Sequence, residues 1–289
     1  MLNALGKALF LLSLRPKMCT VMKRIYLLLL PLFALLVASC TEYSRVLKSK
    51  DLDYRFDYAK RAYESGKYVQ ASTILSDLIT PFKGGPKGEE ALYLLAMSYY
   101  QNKEYMDSGV YFKTYYSRYP KGKYTELARF YCGYGYYLDS PDPQLDQSET
   151  LKGIEELQGF LDYFPRSEKA QIAQNAMFEL QDKLTLKELQ TAQLYYNLGD
   201  YMGDNYLSAI IVADNALKTY PYTKYREDLE MLKLKSKFME AKLSVTEKKE
   251  ERFRDVVDEY YSFINNYPDG PNKEEADNIL KIARRYLKE

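Results

Sequence analysis

The sequence lacks two residue types altogether. Its 289 residues contain no histidine and no tryptophan, whereas 31 are tyrosine. Without an imidazole there is no general base near neutral pH, no Ser–His or Cys–His nucleophile pair, and no zinc site of the usual histidine-containing kinds. Carboxylate pairs for glycoside cleavage stay open in principle, but no particular pair stands out. We therefore expect a protein that is not an enzyme and that binds neither a cofactor nor a metal.

Cysteine is scarce, with three residues at positions 19, 40 and 132. Cys19 lies in a segment that we expect to be removed, and Cys40 is the residue that we expect to be acylated, so no disulfide framework is possible. Cys132 lies in a stretch that reads as a helix. It is either a small buried residue where two helices approach closely or a reactive thiol, and the first interpretation is favoured.

The chain also has no large excess of positive or negative charge. Hydrophobic residues make up 46% of the chain and charged residues 28%, as is typical of a globular chain with a sizeable core. Removing residues 1–39 takes away five basic residues and no acid, so the net charge of +1 becomes −4. A nucleic-acid binder would carry a basic stripe to neutralise phosphates, so we expect no nucleic-acid partner.

Residues 1–39 have the features of a secretory signal segment. From Met22, the expected true start, Lys23 and Arg24 precede about 13 uncharged residues, Ile25–Val37, too few to span a bilayer. The sequence Val37-Ala38-Ser39-Cys40 resembles the lipobox of bacterial lipoproteins, which implies that Cys40 receives diacylglycerol and becomes the new N-terminus. The alternative is an ordinary signal with an incidental cysteine.

Residues 40–50 are then expected to form a lipidated polar tether. Each buried methylene contributes about 0.8 kcal/mol, so two or three acyl chains hold a soluble domain on a membrane stably. No acidic run follows Cys40, unlike the tag that directs some lipoproteins to the cell surface. We therefore expect the chain to face the periplasm.

A repeat becomes visible at the prolines. An aromatic–proline pair closes an amphipathic run at four places, and proline cannot continue a helix. The four pairs are Tyr119-Pro120, Phe164-Pro165, Tyr220-Pro221 and Tyr267-Pro268. Such a period predicts an array of helix pairs.

The second repeat is similar to the tetratricopeptide pattern of about 34 residues. Its matching positions are Leu92, Leu95, Ala96 and Tyr99 in the first helix and Ser108, Phe112, Tyr115 and Pro120 in the second. We predict an all-α fold: a right-handed α-solenoid of about five tetratricopeptide-like helix pairs plus a C-terminal closing helix. Pairs one to three occupy residues 51–166, and pairs four and five with the closing helix occupy 167–289. An additional helical stretch is expected at about 168–184, and long turns near 139–150 and 244–250.

Stacked helix pairs leave their first helices lining a concave surface that usually receives a peptide or a partner helix. The repeat pattern places eight candidate residues there, of types enriched at protein interfaces. They are Phe56, Lys60, Tyr63, Tyr93, Met97, Tyr100, Arg129 and Tyr136. For each residue alone the competing interpretation is ordinary packing, because most helical aromatic stripes belong to the core.

These features together resemble the BamD family, outer-membrane lipoproteins of the β-barrel assembly machinery. The resemblance is carried by the lipobox, by Asp57-Tyr58-Ala59-Lys60 through Gly66-Lys67-Tyr68, and by Leu194-Tyr195-Tyr196 through Tyr220-Pro221. It implies a non-enzymatic scaffold, anchored by lipid in the outer membrane. The C-terminal repeats would dock on the POTRA domains of the insertase BamA, and the N-terminal repeats would meet unfolded outer-membrane proteins. From the cluster of Tyr63, Tyr93, Met97, Tyr100 and Arg129 we predict that the groove captures an extended, aromatic-ended segment of such a client chain. Other lipoproteins of the machinery would be further partners.

Two other classes of binding protein remain open. One is a different periplasmic repeat scaffold that serves cell-wall or division machinery. The other is a glycan-binding lipoprotein of a nutrient-uptake pair, which the absence of tryptophan disfavours because no indole is present to stack on sugars.

Overall fold

The computed structural model describes residues 42–288, which form twelve α-helices and no strand. A short helix, α1, occupies residues 42–48. The others are α2 (Leu52–Glu64), α3 (Tyr68–Leu78), α4 (Gly88–Gln101), α5 (Tyr105–Arg118), α6 (Thr125–Asp139), α7 (Ser148–Tyr163), α8 (Ala170–Leu198), α9 (Asn205–Thr219), α10 (Arg226–Leu243), α11 (Thr246–Asn266) and α12 (Lys273–Leu287). Among these described residues, no helix combines the length and apolar character needed to cross a membrane. The predicted fold class, an all-α solenoid, is confirmed.

The described residues divide into two compact units, 42–102 and 103–288, each of which is considered by itself. This division falls earlier than the predicted boundary at 166/167. The signal segment, Met22 and Cys40 lie outside the described residues.

The N-terminal unit holds α1 to α4. The predicted polar tether is not extended over 42–48, because these residues form α1 and Val46 is fully buried. The Tyr43 ring stacks on the Tyr58 ring of α2 at 6.3 Å between centroids, and Glu42 pairs with Arg61. The apolar Val46 and the aromatic Tyr43 turn this short helix onto α2, so the tether is wrong for this part of the chain.

Glycine ends α2 and sets the turn into α3. Gly66 has a φ of 74°, a left-handed conformation that glycine adopts without steric cost. Its N–H donates to the carbonyl of Tyr63, and the next N–H, of Lys67, donates to the carbonyl of Ala62 at 2.8 Å. This pair of bonds satisfies two carbonyls at the helix end, and α3 then returns to pack on both α2 and α4.

The C-terminal unit stacks α5 to α12 in chain order, with each helix packed against the next. Alternate helices also touch: α6 contacts α8, α8 contacts α10, and α10 contacts α12. Three of these helices, α6, α8 and α10, are the first members of their pairs, and the closing helix α12 continues the row that they form, which we call the inner row. Apolar clusters centred on Phe160 and on Phe253 fill the spaces between neighbouring helices.

The inner row contains one helix that differs from the prediction. Instead of a separate stretch at 168–184 before the fourth pair, α8 runs without a break for 29 residues, Ala170–Leu198. At 1.5 Å per residue it is about 43 Å long. It contains no glycine or proline, and it stops at Gly199, whose φ is 60°. The fourth pair is therefore α8 with α9, and no additional helix precedes it.

All four aromatic–proline pairs end the second helix of their pair, as predicted. The N–H groups of Tyr119, Phe164, Tyr220 and Tyr267 donate to the carbonyl four residues back at 2.8–2.9 Å. The proline that follows has no N–H to continue the ladder. The repeat signal in the sequence therefore marks real helix ends.

The two predicted long turns have different outcomes. The turn between α6 and α7 is long, with residues 140–147 outside both helices. The turn predicted at 244–250 is wrong, because α10 ends at Leu243 and α11 begins at Thr246. The charged run from Glu247 to Arg252 is helical, and Arg252 pairs with Glu240 across the short turn.

Candidate functional site

Six of the eight predicted groove residues lie in the N-terminal unit, and only part of this set forms a cluster. Phe56 is 2% exposed and packs edge-on against Phe82, with the ammonium of Lys60 5.6 Å from its ring centre. Lys60 in turn donates to Glu90 on α4 at 2.6 Å, and this bond raises the pKa of Lys60. Phe56 and Lys60 are thus together, but Phe56 packs on the turn after α3 and Lys60 is bonded to α4.

The other four N-terminal candidates also fail to form an open aromatic groove. Tyr93 and Met97 are buried, at 9% and 5% exposure, while Tyr63 packs against the ring of Tyr68. Tyr100 is half-buried. The prediction that this set lines an accessible surface is therefore wrong for Phe56, Tyr93 and Met97. The repeat period identifies the face of the helix, but neighbouring elements cover that face.

In the C-terminal unit, Arg129 and Tyr136 both lie on α6 and make separate contacts. The guanidinium of Arg129 lies between two rings, 4.2 Å from the centre of Tyr116 and 3.9 Å from that of Tyr163. Tyr136 is buried, and burial raises its pKa to about 12. A Cβ added to Gly109 would lie 2.8 Å from the Tyr136 ring, so this tyrosine fills the space that the glycine leaves. Tyr136 is a packing residue, which corrects its assignment to the groove.

Behind Arg129 lies a buried polar cluster around Glu156 of α7. The carboxylate, on a residue only 9% exposed, accepts from Lys113 at 2.8 Å and from the Tyr116 hydroxyl at 2.7 Å. Burial, together with the bond to Glu156, raises the pKa of Tyr116. These bonds satisfy the carboxylate and join α5 to α7.

Cys132 lies beside this cluster and is fully buried. Burial raises the pKa of its thiol well above the usual range, and Sγ lies 3.5 Å from the carbonyl oxygen of Gly109. A reactive cysteine needs a lowered pKa and access to solvent. Cys132 therefore has the predicted role of a small residue where α5 and α6 approach closely.

One accessible surface of this unit follows a face of α8. Six residues at alternating spacings of four and three fall on a single stripe, which we call the α8 stripe: Glu179, Lys183, Leu186, Gln190, Gln193 and Asn197. Because 3.6 residues make a turn, the stripe is continuous and about 27 Å long. The first half borders a cavity of about 570 Å³ and the second half a cavity of about 530 Å³.

The first of these, the middle cavity, lies between α6, α8 and the start of α10. The Tyr137 hydroxyl donates to Glu179 at 2.6 Å across it. On its border, Lys183 donates to the carbonyl of Ser140, and Lys187 donates to that of Leu145 at 3.0 Å. The long turn 140–147 is therefore held against α8 by side-chain bonds and forms a fixed wall.

The second, the C-terminal cavity, has α10 as its floor and α8 and α12 as its walls. Buried Met231 and Leu232 form the floor, and exposed Leu194 rises on the α8 wall at 58% exposure. Lys235 on the floor pairs with Glu275 of α12 at 2.7 Å. Partial burial, and then Glu227, raises the pKa of Asp228 at the rim. The floor is apolar and the walls are polar, which is the composition of a binding site for an organic or peptide ligand.

The prediction from sequence missed this second cavity. A signal was present, since Gln190, Gln193 and Asn197 lie at i, i+3 and i+7 and fall on one helix face. Within the described part of the chain, no group of histidine, cysteine or acidic side chains is arranged to hold a metal ion.

Comparisons with known proteins give a family and distant structural similarities. A search of curated proteins gave no match. Among solved structures, a Podosopora anserina protein described as a putative kinesin light chain with nearly identical TPR-like repeats, carrying one substitution, shares 11% identity, covers 73% of this chain and 95% of its own, and has a TM-score of 0.31. A second structure, of the same protein without that substitution, covers 72% and 94% with the same identity and TM-score.

The family model for YfiO, described as an outer membrane lipoprotein, matches residues 49–230. That span begins at the N-terminal helix pair and continues into α10, so it includes the Glu156 cluster and the whole α8 stripe. The chain belongs to the YfiO family of outer membrane lipoproteins.

Proposed function

We propose that this protein is a non-enzymatic, lipid-anchored scaffold of the outer-membrane β-barrel assembly complex. In this proposal Cys40 carries the lipid, and the helical chain faces the periplasm. The protein binds the POTRA domains of BamA and unfolded β-barrel proteins, and other lipoproteins of the machinery join it. The observation that carries the proposal is the family match over residues 49–230, because this span covers most of the solenoid.

The surface of the C-terminal unit supports a partner-binding role. Large hydrophobic side chains stand exposed in the turns after α8 and α9: Tyr201 at 67%, Met202 at 89% and Tyr222 at 87%. Aromatic residues and methionine are enriched in the cores of protein interfaces. We therefore propose these turns as the docking edge for BamA.

Site-specific photocrosslinking in intact envelopes tests this proposal. A photoreactive phenylalanine analogue at Tyr222 is expected to capture BamA, while the same analogue at Asp269, on a side chain that is 94% exposed in another turn, serves as the control. Capture of BamA at neither position, nor at Tyr201, would contradict the docking edge. Recovery of cell-wall or division proteins would instead favour the other kind of periplasmic scaffold.

A further inference from the structure

The C-terminal cavity contains four side-chain amides whose hydrogen bonds follow one pattern. Gln193 Nε2 donates to Asn197 Oδ1 at 2.8 Å, which leaves Gln193 Oε1 as an acceptor and the Asn197 amide as a donor. Gln190 Oε1 accepts from Gln144 at 2.9 Å, which leaves the Gln190 amide as a donor. On the opposite wall, Asn272 Nδ2 donates to Glu227 at 3.1 Å, which leaves Asn272 Oδ1 as an acceptor.

The cavity therefore offers at least two amide donors and at least two amide acceptors, since each NH2 group has two hydrogens. A peptide unit carries one N–H and one C=O, so this set can pair with two peptide units. Exchanging oxygen and nitrogen in both members of the Gln193–Asn197 pair leaves the same complement, one donor and one acceptor. The pattern is thus a property of the residue types and of their i, i+4 spacing.

The spacing of the amides fits an extended backbone. From Gln190 to Asn197 the helix rises about 10.5 Å, which equals about three residues of extended chain. A bound helix would have its own N–H and C=O groups already paired, so the amides would find no partners in it. Alternate side chains of an extended segment face opposite sides. One set would rest on Met231 and Leu232, and the other would face solvent.

Charge restricts the ligand further. The cavity is lined by two carboxylates, Asp228 and Glu275, against one ammonium, Lys235, and is therefore negative by one charge. An acidic segment or a nucleic-acid strand would be repelled. A neutral or basic segment would be favoured.

We propose that the C-terminal cavity binds an extended, neutral or basic polypeptide segment with alternating apolar residues. Its side-chain amides form hydrogen bonds with the backbone of the segment, whatever the sequence of the segment. This site is separate from the eight groove residues predicted from the sequence. It does not depend on which assembly complex the protein joins.

The test measures the binding of a defined peptide to the full-length protein in detergent by fluorescence anisotropy. The probe is a labelled, capped nine-residue peptide in which leucine alternates with serine and lysine. A second copy carries methyl groups on alternate backbone nitrogens, a third has its serines and lysines in another order, and a fourth has glutamate for lysine. The reordered copy should bind like the probe, and both the methylated and the glutamate copies should bind at least about tenfold more weakly.

Two double variants on the same helix provide the matched comparison. Gln193→Ala/Asn197→Ala should weaken the probe about tenfold, because two hydrogen bonds to the peptide are lost. Gln171 and Asn175 form the same i, i+4 amide pair on α8 but do not line the cavity. Gln171→Ala/Asn175→Ala should therefore change the affinity by less than about twofold.

Several results would overturn the proposal. They are absence of binding to the wild-type protein, undiminished affinity for the methylated peptide, and equal weakening by the two double variants. Leu194→Ser, at an exposed position on the wall, gives an independent measurement if either alanine variant loses stability. It should weaken the probe about fivefold, because it removes an apolar contact and leaves the charge of the cavity unchanged. An unchanged affinity for this variant would count against the site.

Discussion

The surface around Arg129 on α6 and the surface between α8, α10 and α12 are built from the same kind of helix position, but aromatic rings fill the first and the second stays open. Around α6 the space is filled by the chain's own rings, with Phe130 stacked on Tyr134 at 5.2 Å and Arg129 placed between two tyrosines. Between α8 and α12 the corresponding side chains are amides and Leu194. The aromatic rings therefore fill the surface around Arg129 on α6, whereas the shorter polar side chains between α8 and α12 leave that surface accessible.

Close helix approach is what allows the α6 region to be filled so completely. A Cβ added to Gly133 would lie 2.8 Å from the backbone nitrogen of Leu157, and one added to Gly153 would lie 2.8 Å from Leu180. Small residues at these crossings bring α6, α7 and α8 together, so the aromatic rings nearby reach each other. The four predictions below test this contrast, in order of decreasing effect.

The largest effect is expected from Gly133→Val in the closed region. Because the neighbouring atom belongs to the backbone of Leu157, the new side chain can be accommodated only by moving α6 away from α7. We expect a loss of about 3 kcal/mol in the free energy of unfolding, measured by denaturant titration. The control is Gly159→Ala on α7, where nothing lies within 4 Å, and it should gain about 0.5–1 kcal/mol. Similar outcomes for both variants would refute the close-packing explanation.

A smaller loss is expected from Glu156→Ala in the same region. The Tyr116 hydroxyl would stay buried without its acceptor, which should cost about 1–3 kcal/mol. Adding Tyr116→Phe to that variant should cost little more, since the orphaned hydroxyl is removed with it. Denaturant unfolding of the two single variants and the double variant gives the coupling energy, and strict additivity would show that the bond does not stabilise the fold.

Alkaline pH should lower the stability of the folded protein, because two tyrosine hydroxyls that donate hydrogen bonds would lose their protons. The bond to Glu179, and then burial, raises the pKa of Tyr137 from 10.0 to about 12, and the bond to Asp277 does the same for Tyr260. A raised pKa means that the folded state favours the protonated phenol. Its contribution to stability is complete below pH 10 and is lost as the pH rises towards 12. Unfolding midpoints measured between pH 8 and pH 11.5 should fall, and they should fall less in a Tyr137→Phe/Tyr260→Phe variant. A decline of equal steepness in that variant would assign the effect to other groups.

The smallest change in stability is expected in the open region. Leu194 is 58% exposed, so Leu194→Ser should alter the free energy of unfolding by no more than about 0.5 kcal/mol. Leu180, on the same helix but 1% exposed, is the control, and Leu180→Ala should lose several times as much. A large loss at Leu194 would mean that this wall is part of the core, and the open surface would have to be reassigned.

The architecture could be predicted from sequence because its signals are local. Aromatic–proline pairs such as Tyr119-Pro120 end helices through backbone chemistry alone, and they ended the helices as expected. Helix α8 shows the limit of this reasoning. Its 29 residues contain no glycine or proline that would end a helix, whereas the repeat pattern predicts a separate stretch at about 168–184. Propensity was the better guide.

The candidate site was harder to predict because accessibility is not local. Helical period correctly grouped Tyr93 with Met97 on one face, but whether a face stays open depends on what packs over it. The same holds for Val46, a single apolar residue in a polar stretch, which turns a predicted tether into a packed helix. Burial of this kind arises from contacts distant in sequence. A repeat pattern in the sequence does not indicate which distant residues will make such contacts.

Because α1 packs against α2, only a short stretch of chain connects the folded protein to Cys40. Only Thr41 separates Cys40 from Glu42, where α1 begins, and two extended residues span about 7 Å. An acyl group on Cys40, as proposed, would therefore hold the start of α1 within about one Debye length of the lipid headgroups, which is about 8 Å at physiological salt. The start of α1 would lie inside the electric double layer of the membrane, where salt screens the headgroup charge only in part.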